Sequence, residues 1–160
     1  MKAGTHMHTP RTNARRHLGI ATVEFAICAP VLFFLMLATA EVGRALFQYN
    51  TLVKAVRDGA RYVVNNASVG TTRVVNITAA RRNETRNLVV TGNIAGTGTA
   101  LLPGLTVNNV TVTDAGNGFI SVAANYTYTP MLGATLPTFG FGQPINLSRT
   151  LAATVVMRAL

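Results

Sequence analysis

From Ile20 to Ala40 the chain reads IATVEFAICAPVLFFLMLATA, twenty-one residues in which Glu24 carries the only charge. At about 1.5 Å of rise per residue, a helix of that length covers the roughly 30 Å hydrocarbon core of a bilayer. The run is a transmembrane candidate, and the rest of the fold must be built around it. Composition points the same way: 49% of the 160 residues are hydrophobic and 12% charged, too apolar for a disordered chain and unusual for a soluble domain. A chain of this length has room for one domain with a modest core and little for a second.

Ahead of the run lie Lys2, Arg11, Arg15 and Arg16 with no acidic residue, so residues 1–19 read as a basic leader. Those arginines favour a cytoplasmic N-terminus, a bias blunted by Arg44, Lys54 and Arg57 behind the run. A secretory signal peptide shares the basic start and the apolar stretch, but its apolar region is typically shorter. Here Ala38-Thr39-Ala40 passes without a break into more helix-patterned sequence. From Glu41 to about Val64, the residues Val42, Ala45, Leu46, Tyr49, Leu52, Val53, Val56, Ala60 and Val63 recur at three- and four-residue steps. Arg44, Gln48, Lys54, Arg57, Asp58 and Arg61 fall mainly between them. The expectation is one helix over Ile20–Val64, transmembrane in its first half, amphipathic in its second, and bent slightly at Pro30.

Asn65 to Gly70 breaks the pattern, and Thr71 or Thr72 can cap a second helix running to about Val90, with Gly92 as its stop. A strand near Thr72 to Thr78 is the other reading of that stretch. Farther on, Leu105 to Thr113 is rich in Val and Thr, Asn117-Gly118 supplies a tight turn, and Phe119 to Thr129 alternates, which together predict a hairpin. Prolines and glycines from Pro130 to Pro144 predict a long loop before Ile145 to Arg158 returns as a third strand. The fold class expected is α+β: a long N-terminal helix, a second helix and a small antiparallel sheet of about three strands. Its organisation is a leader over 1–19, a transmembrane segment over 20–40 and a head over 41–160.

The residue inventory argues against catalysis. Cys28 is the only cysteine, and His6, His8 and His17 all precede the apolar run. Glu24, Glu41, Asp58, Glu84 and Asp114 are the only carboxylates, so no catalytic residue, metal site or cofactor site is expected. Neither Gly-Lys-Ser/Thr nor Gly-X-Ser-X-Gly occurs. The net charge of +9 raises nucleic acid as a partner, but the arginines are spread along the chain, and only Arg73, Arg81, Arg82 and Arg86 approach a cluster. Nucleic-acid binding is therefore not favoured. Tyr126 and Tyr128 read as core residues of a strand, while Phe139 and Phe141, flanked by glycines, suit an interface.

Arg15-Arg16 are followed by Gly19 and then by Ile20-Ala21-Thr22-Val23-Glu24-Phe25, which opens the apolar helix. Glycine lets a protease approach the backbone closely and accepts the extended conformation that cleavage needs. A carboxylate inside a membrane span costs about 2.5–3.5 kcal/mol at mid-helix and less near the interface, so it usually has a partner. At headgroup level, a helix N-terminus favours negative charge without one. This opening resembles a type IV prepilin processing site. Taken with Pro30, with Glu41-Val42-Gly43-Arg44 and with Ala55-Val56-Arg57-Asp58-Gly59-Ala60-Arg61-Tyr62, it resembles the TadE-like proteins of tight-adherence (Flp-type) pilus systems over about Gly19 to Val63.

The resemblance implies a membrane-anchored pseudopilin or minor pilin, cut after Gly19 by a prepilin peptidase so that Ile20 becomes the new N-terminus. It implies that Glu24, with Phe25 beside it, serves pairing with the free amine of a neighbouring subunit. Its family-pattern positions fall on Pro30, Glu41, Gly43, Arg44, Arg57, Gly59, Ala60, Arg61 and Tyr62. The partners implied are the membrane itself, the peptidase, other pilus or pseudopilin subunits and the inner-membrane assembly platform, with the head outside the cytoplasm. The alternative is a permanently anchored, unprocessed single-pass envelope protein whose head binds a ligand or partner. That alternative needs neither Gly19 nor Glu24.

Overall fold

A computed structural model describes residues 14–67, 75–131, 133–136 and 142–159, with residues 14–18 and 136 described by their backbone alone. His6, His8, Thr71, Thr72, Arg73, Phe139 and Phe141 lie outside the described residues. The chain divides into two compact units, Met1–Ala40 and Glu41–Leu160. Helix α1 (Ala14–Asn66) is common to both. It begins earlier than expected because Ala14, Arg15 and Arg16 are themselves good helix formers, and the helix continues from them through Gly19. Pro30 is held inside it.

In the first unit, no residue from Gly19 to Ala40 is buried. The apolar side chains that make this stretch suitable for lipid project into open space around the helix, and α1 is long and apolar enough to cross a membrane.

In the second unit, α1 supplies Leu52, Val56, Ala60 and Val63 to the core at helical spacing, all fully buried. Burying one such Leu or Val side chain contributes about 1.5–3 kcal/mol. The expected inward stripe needs correction at its start: Val42, Leu46 and Tyr49 are exposed, and Gln48 is buried. The inward line begins instead with Glu41 and Gln48, which Tyr128, just past the second strand of the sheet, and Tyr126, within it, supply with hydrogen bonds. Val42 and Leu46 are consequently rotated outward.

Helix α2 (Ala79–Thr91) starts later than expected. Val75, Ile77 and Thr78 are β-branched and poor helix formers, and the Thr78 hydroxyl caps the helix by accepting the Arg81 N–H at 3.3 Å. Gly92 ends it in the left-handed region at φ 79°, donating its N–H to the Leu88 carbonyl. A short 3₁₀ turn (Val107–Asn109) occupies part of the stretch expected to be strand. Asn109 accepts hydrogen bonds from both the Thr106 N–H and the Thr106 hydroxyl there, so the local polar groups favour a turn.

Strands β1 (Val110–Gly116) and β2 (Phe119–Thr127) form the expected hairpin. Its turn is Asn117-Gly118, with φ of 54° and 80°, the two positive values that a tight twisted hairpin turn demands. Two further strands, β3 (Thr135–Leu136) and β4 (Ile145–Asn146), form a short ladder within the stretch read as loop and early strand. Strand β5 (Thr150–Arg158) then pairs antiparallel with β2, giving the sheet order β1-β2-β5. Ile120, Val122, Ala124 and Tyr126 of β2 alternate onto the buried face, where they join the residues of α1 and α2 in one cluster. The architecture is α+β, with a long helix, a second helix and a three-stranded antiparallel sheet.

Candidate functional site

The residues singled out in sequence fall into two places. In the first unit, Gly19 lies within α1, with nothing within 4 Å of where a Cβ would stand. Ile20 and Phe25 are each 67% exposed. Glu24 is exposed and has no hydrogen bond or ion pair among the described residues, although Ile20, Val23 and Ile27 share its helix face. The result is an apolar helix surface bearing one unpartnered carboxylate. Cys28 is exposed on the same segment.

In the second unit, Glu41 is buried, and two donors among the described residues converge on its carboxylate. Tyr128 donates its hydroxyl hydrogen to Oε1, and the Met131 N–H lies 3.2 Å from Oε1 and 3.3 Å from Oε2. A buried carboxylate is tolerable only when it is hydrogen-bonded in this way. The phenol is affected in turn: burial first, then the hydrogen bond to Glu41 and that residue's charge, pushes Tyr128 up to about 12. Seven residues farther along α1, on the same face, buried Gln48 lies 3.0 Å from the Tyr126 hydroxyl, which is equally close to the Pro103 carbonyl. Tyr126 is raised as well, chiefly by burial. Between them is Arg44, whose charge opposes the rise of both tyrosines, and whose buried Nη1 has no hydrogen-bond partner among the described residues.

The remaining family-pattern positions separate by environment. At Gly59 a Cβ would come within 2.5 Å of Val89 Cγ2, so this glycine lets α1 and α2 meet closely, and Ala60 beside it is fully buried. Tyr62 donates a 2.7 Å hydrogen bond to Glu84 Oε2, and this bond, followed by burial, raises the phenol. Arg81 Nε lies 3.9 Å from the same Glu84 oxygen. Arg57 and Arg61 are exposed, and no ion pair forms to either or to neighbouring Asp58 among the described residues. Gly43 is also exposed, with open space around it, so it makes no close approach. Among the described residues, no group of three His, Cys, Asp or Glu side chains gathers to hold a metal.

Sequence reasoning did not find the polar partners Gln48, Met131 and Glu84, and it treated Tyr128 as apolar core. A signal existed: two polar residues, Glu41 and Gln48, stand one heptad apart on a helix, opposite two tyrosines spaced by two at the end of β2 and just beyond it. Residues 19–61 match the family described as TadE-like protein. No curated protein and no solved structure matches the chain significantly. With an N-terminal helix fit to cross a membrane, the match suggests a membrane-anchored, Tad-pilus-associated protein; the matched family itself is structural rather than enzymatic. From Gly19 to Arg61, α1 is therefore similar to TadE-like proteins.

Proposed function

We propose that this chain is a pseudopilin or minor-pilin-like assembly component of a tight-adherence pilus. Its leader is residues 1–19, its membrane segment 20–40 and its head 41–160, with the anchor in the bacterial inner membrane and the head outside the cytoplasm. The observation that carries the reading is Glu24, a carboxylate without a partner among the described residues, on an otherwise largely apolar, exposed helix surface. Such a group calls for a cation. Cleavage after Gly19 by a prepilin peptidase would create one, the ammonium on Ile20, and on a neighbouring subunit it would meet Glu24 and set the register between helices. The helix then serves first as anchor and later as a packing surface against other pilus subunits. Because α1 runs through Gly19, the peptidase must unwind that turn, and a glycine surrounded by open space is its weakest point.

The continuity of α1 back to Ala14 favours a second reading, a permanently anchored and unprocessed protein. Intact mass and N-terminal sequencing of the protein from membranes of its native host, beside a Gly19→Ala variant, separate the two. The assembly reading expects a mature chain starting at Ile20 and a variant that stays full length. A native chain that keeps its leader overturns processing and leaves the permanent anchor.

A further inference from the structure

On the outward face of α1, the change from apolar to polar does not fall where the head begins. Val42, Leu46 and Phe47 are 61%, 58% and 71% exposed. After Tyr49, which is 40% exposed, the outward positions include Asn50, Lys54, Arg57, Asp58 and Arg61, all exposed and all polar. Exposed large apolar side chains thus recur from Ile20 to Phe47, a stretch of twenty-eight residues. About twenty suffice to span hydrocarbon.

A second element reaches the level of Glu41. Met131, 75% exposed, donates its N–H to the Glu41 carboxylate at 3.2 Å. Beside Glu41, half-buried Arg44 has an Nη1 that lacks an acceptor among the described residues. Such a guanidinium gains acceptors by swinging out to a phosphodiester. Apolar side chains next to a basic residue are what a protein surface lying in the headgroup layer combines.

We infer that the Glu41 end of the head is seated in a phospholipid surface, with Val42, Leu46, Phe47 and Met131 at the acyl boundary and Arg44 at the lipid phosphates. This rests on the anchored reading and goes beyond it, since an anchor alone requires only residues 20–40. The opposite end of β2 has a different character: its turn, Asn117-Gly118, follows Asp114, and among the described residues Phe119, 40% exposed, is the large apolar side chain beside it. It stands in water and serves as the reference.

The test is nitroxide labelling of the full chain in a Cys28→Ser background, reconstituted in phosphatidylethanolamine–phosphatidylglycerol vesicles. Phe47→Cys, Met131→Cys, Leu35→Cys and Asn117→Cys are labelled one at a time. The collision rate with oxygen, which concentrates in lipid, is compared with that of a water-soluble nickel complex. The expected oxygen-to-nickel ratio at Phe47→Cys and Met131→Cys is several-fold above that of Asn117→Cys and approaches that of Leu35→Cys. If both match Asn117→Cys while Leu35→Cys remains in lipid, the seat is overturned and the anchor stands. If Leu35→Cys also meets nickel, the anchored reading fails together with the seat. Labels shielded from both reagents, with spin–spin broadening that vanishes on dilution by unlabelled chain, mean that a second copy covers this surface, which also overturns the inference.

Discussion

The bond between Tyr128 and Glu41 joins positions 87 residues apart, and its two members depend on each other. Without the phenol, the buried carboxylate keeps only the Met131 N–H among the described residues. Tyr128→Phe is therefore expected to destabilise the head by about 1–3 kcal/mol, read as a lower urea midpoint for the full chain in detergent. Its pH dependence has a definite sign. In the unfolded chain Tyr128 ionises near its ordinary value of 10.0, whereas in the folded chain it holds its proton until about 12. Between those values the folded state binds more protons, so the stabilisation is complete below the lower value and is lost as pH rises through the upper. Unfolding midpoints measured across that window should fall, and in Tyr128→Phe the slope should flatten. A residue of slope should survive, since Tyr62 and Tyr126 are raised too.

At the scale of elements, α1 carries two family-pattern glycines that should respond in opposite ways to the same substitution. Gly59→Ala would place a Cβ against Val89 Cγ2, which overpacks the contact with α2 and is expected to cost about 1–3 kcal/mol. Adding Val89→Ala removes the clashing methyl, so the double variant should lose less than the two single losses combined, a coupling read from their unfolding midpoints. Gly43→Ala meets open space in a helix interior and should stabilise by about 0.5–1 kcal/mol. The existence of both helices and of the hairpin was legible because each rests on local chemistry: a sustained apolar run, a helix-stopping glycine, an Asn-Gly turn. The start of α2 was not, because Thr71, Thr72 and Thr78 are all acceptable caps in sequence, and the preference against helix of Val75 and Ile77 decided between them. The rotation of α1 in the head was misread for a related reason. Apolar spacing alone placed Val42 and Leu46 inward, and only the tyrosines contributed by β2 and the residue after it make Glu41 and Gln48 the better inward pair.

For the molecule as a whole, protection from hydrogen exchange should follow the layering of the head. The amides of β2, paired on both sides, and of α1 from Leu52 to Val63 are expected to exchange slowest, with the β3–β4 ladder of two residue pairs opening first. Peptide-resolved exchange on the detergent-solubilised chain checks that order, and an early-exchanging β2 would contradict the layering. Gly19 and Glu24 could be singled out in sequence because each is an exception within its own stretch, whereas the bond between Glu41 and Tyr128 depends on residues far apart in sequence and could not be read from either alone. The sheet order carries a further consequence, in the order of synthesis. The central strand β2 acquires its second neighbour only when β5 arrives, after α1, α2, the hairpin and the β3–β4 ladder have all been made. A ribosome would deliver the apolar helix to a membrane while the head still lacks the strand that completes its sheet. The chain would therefore remain open and threadable during the interval in which a translocation channel can accept it.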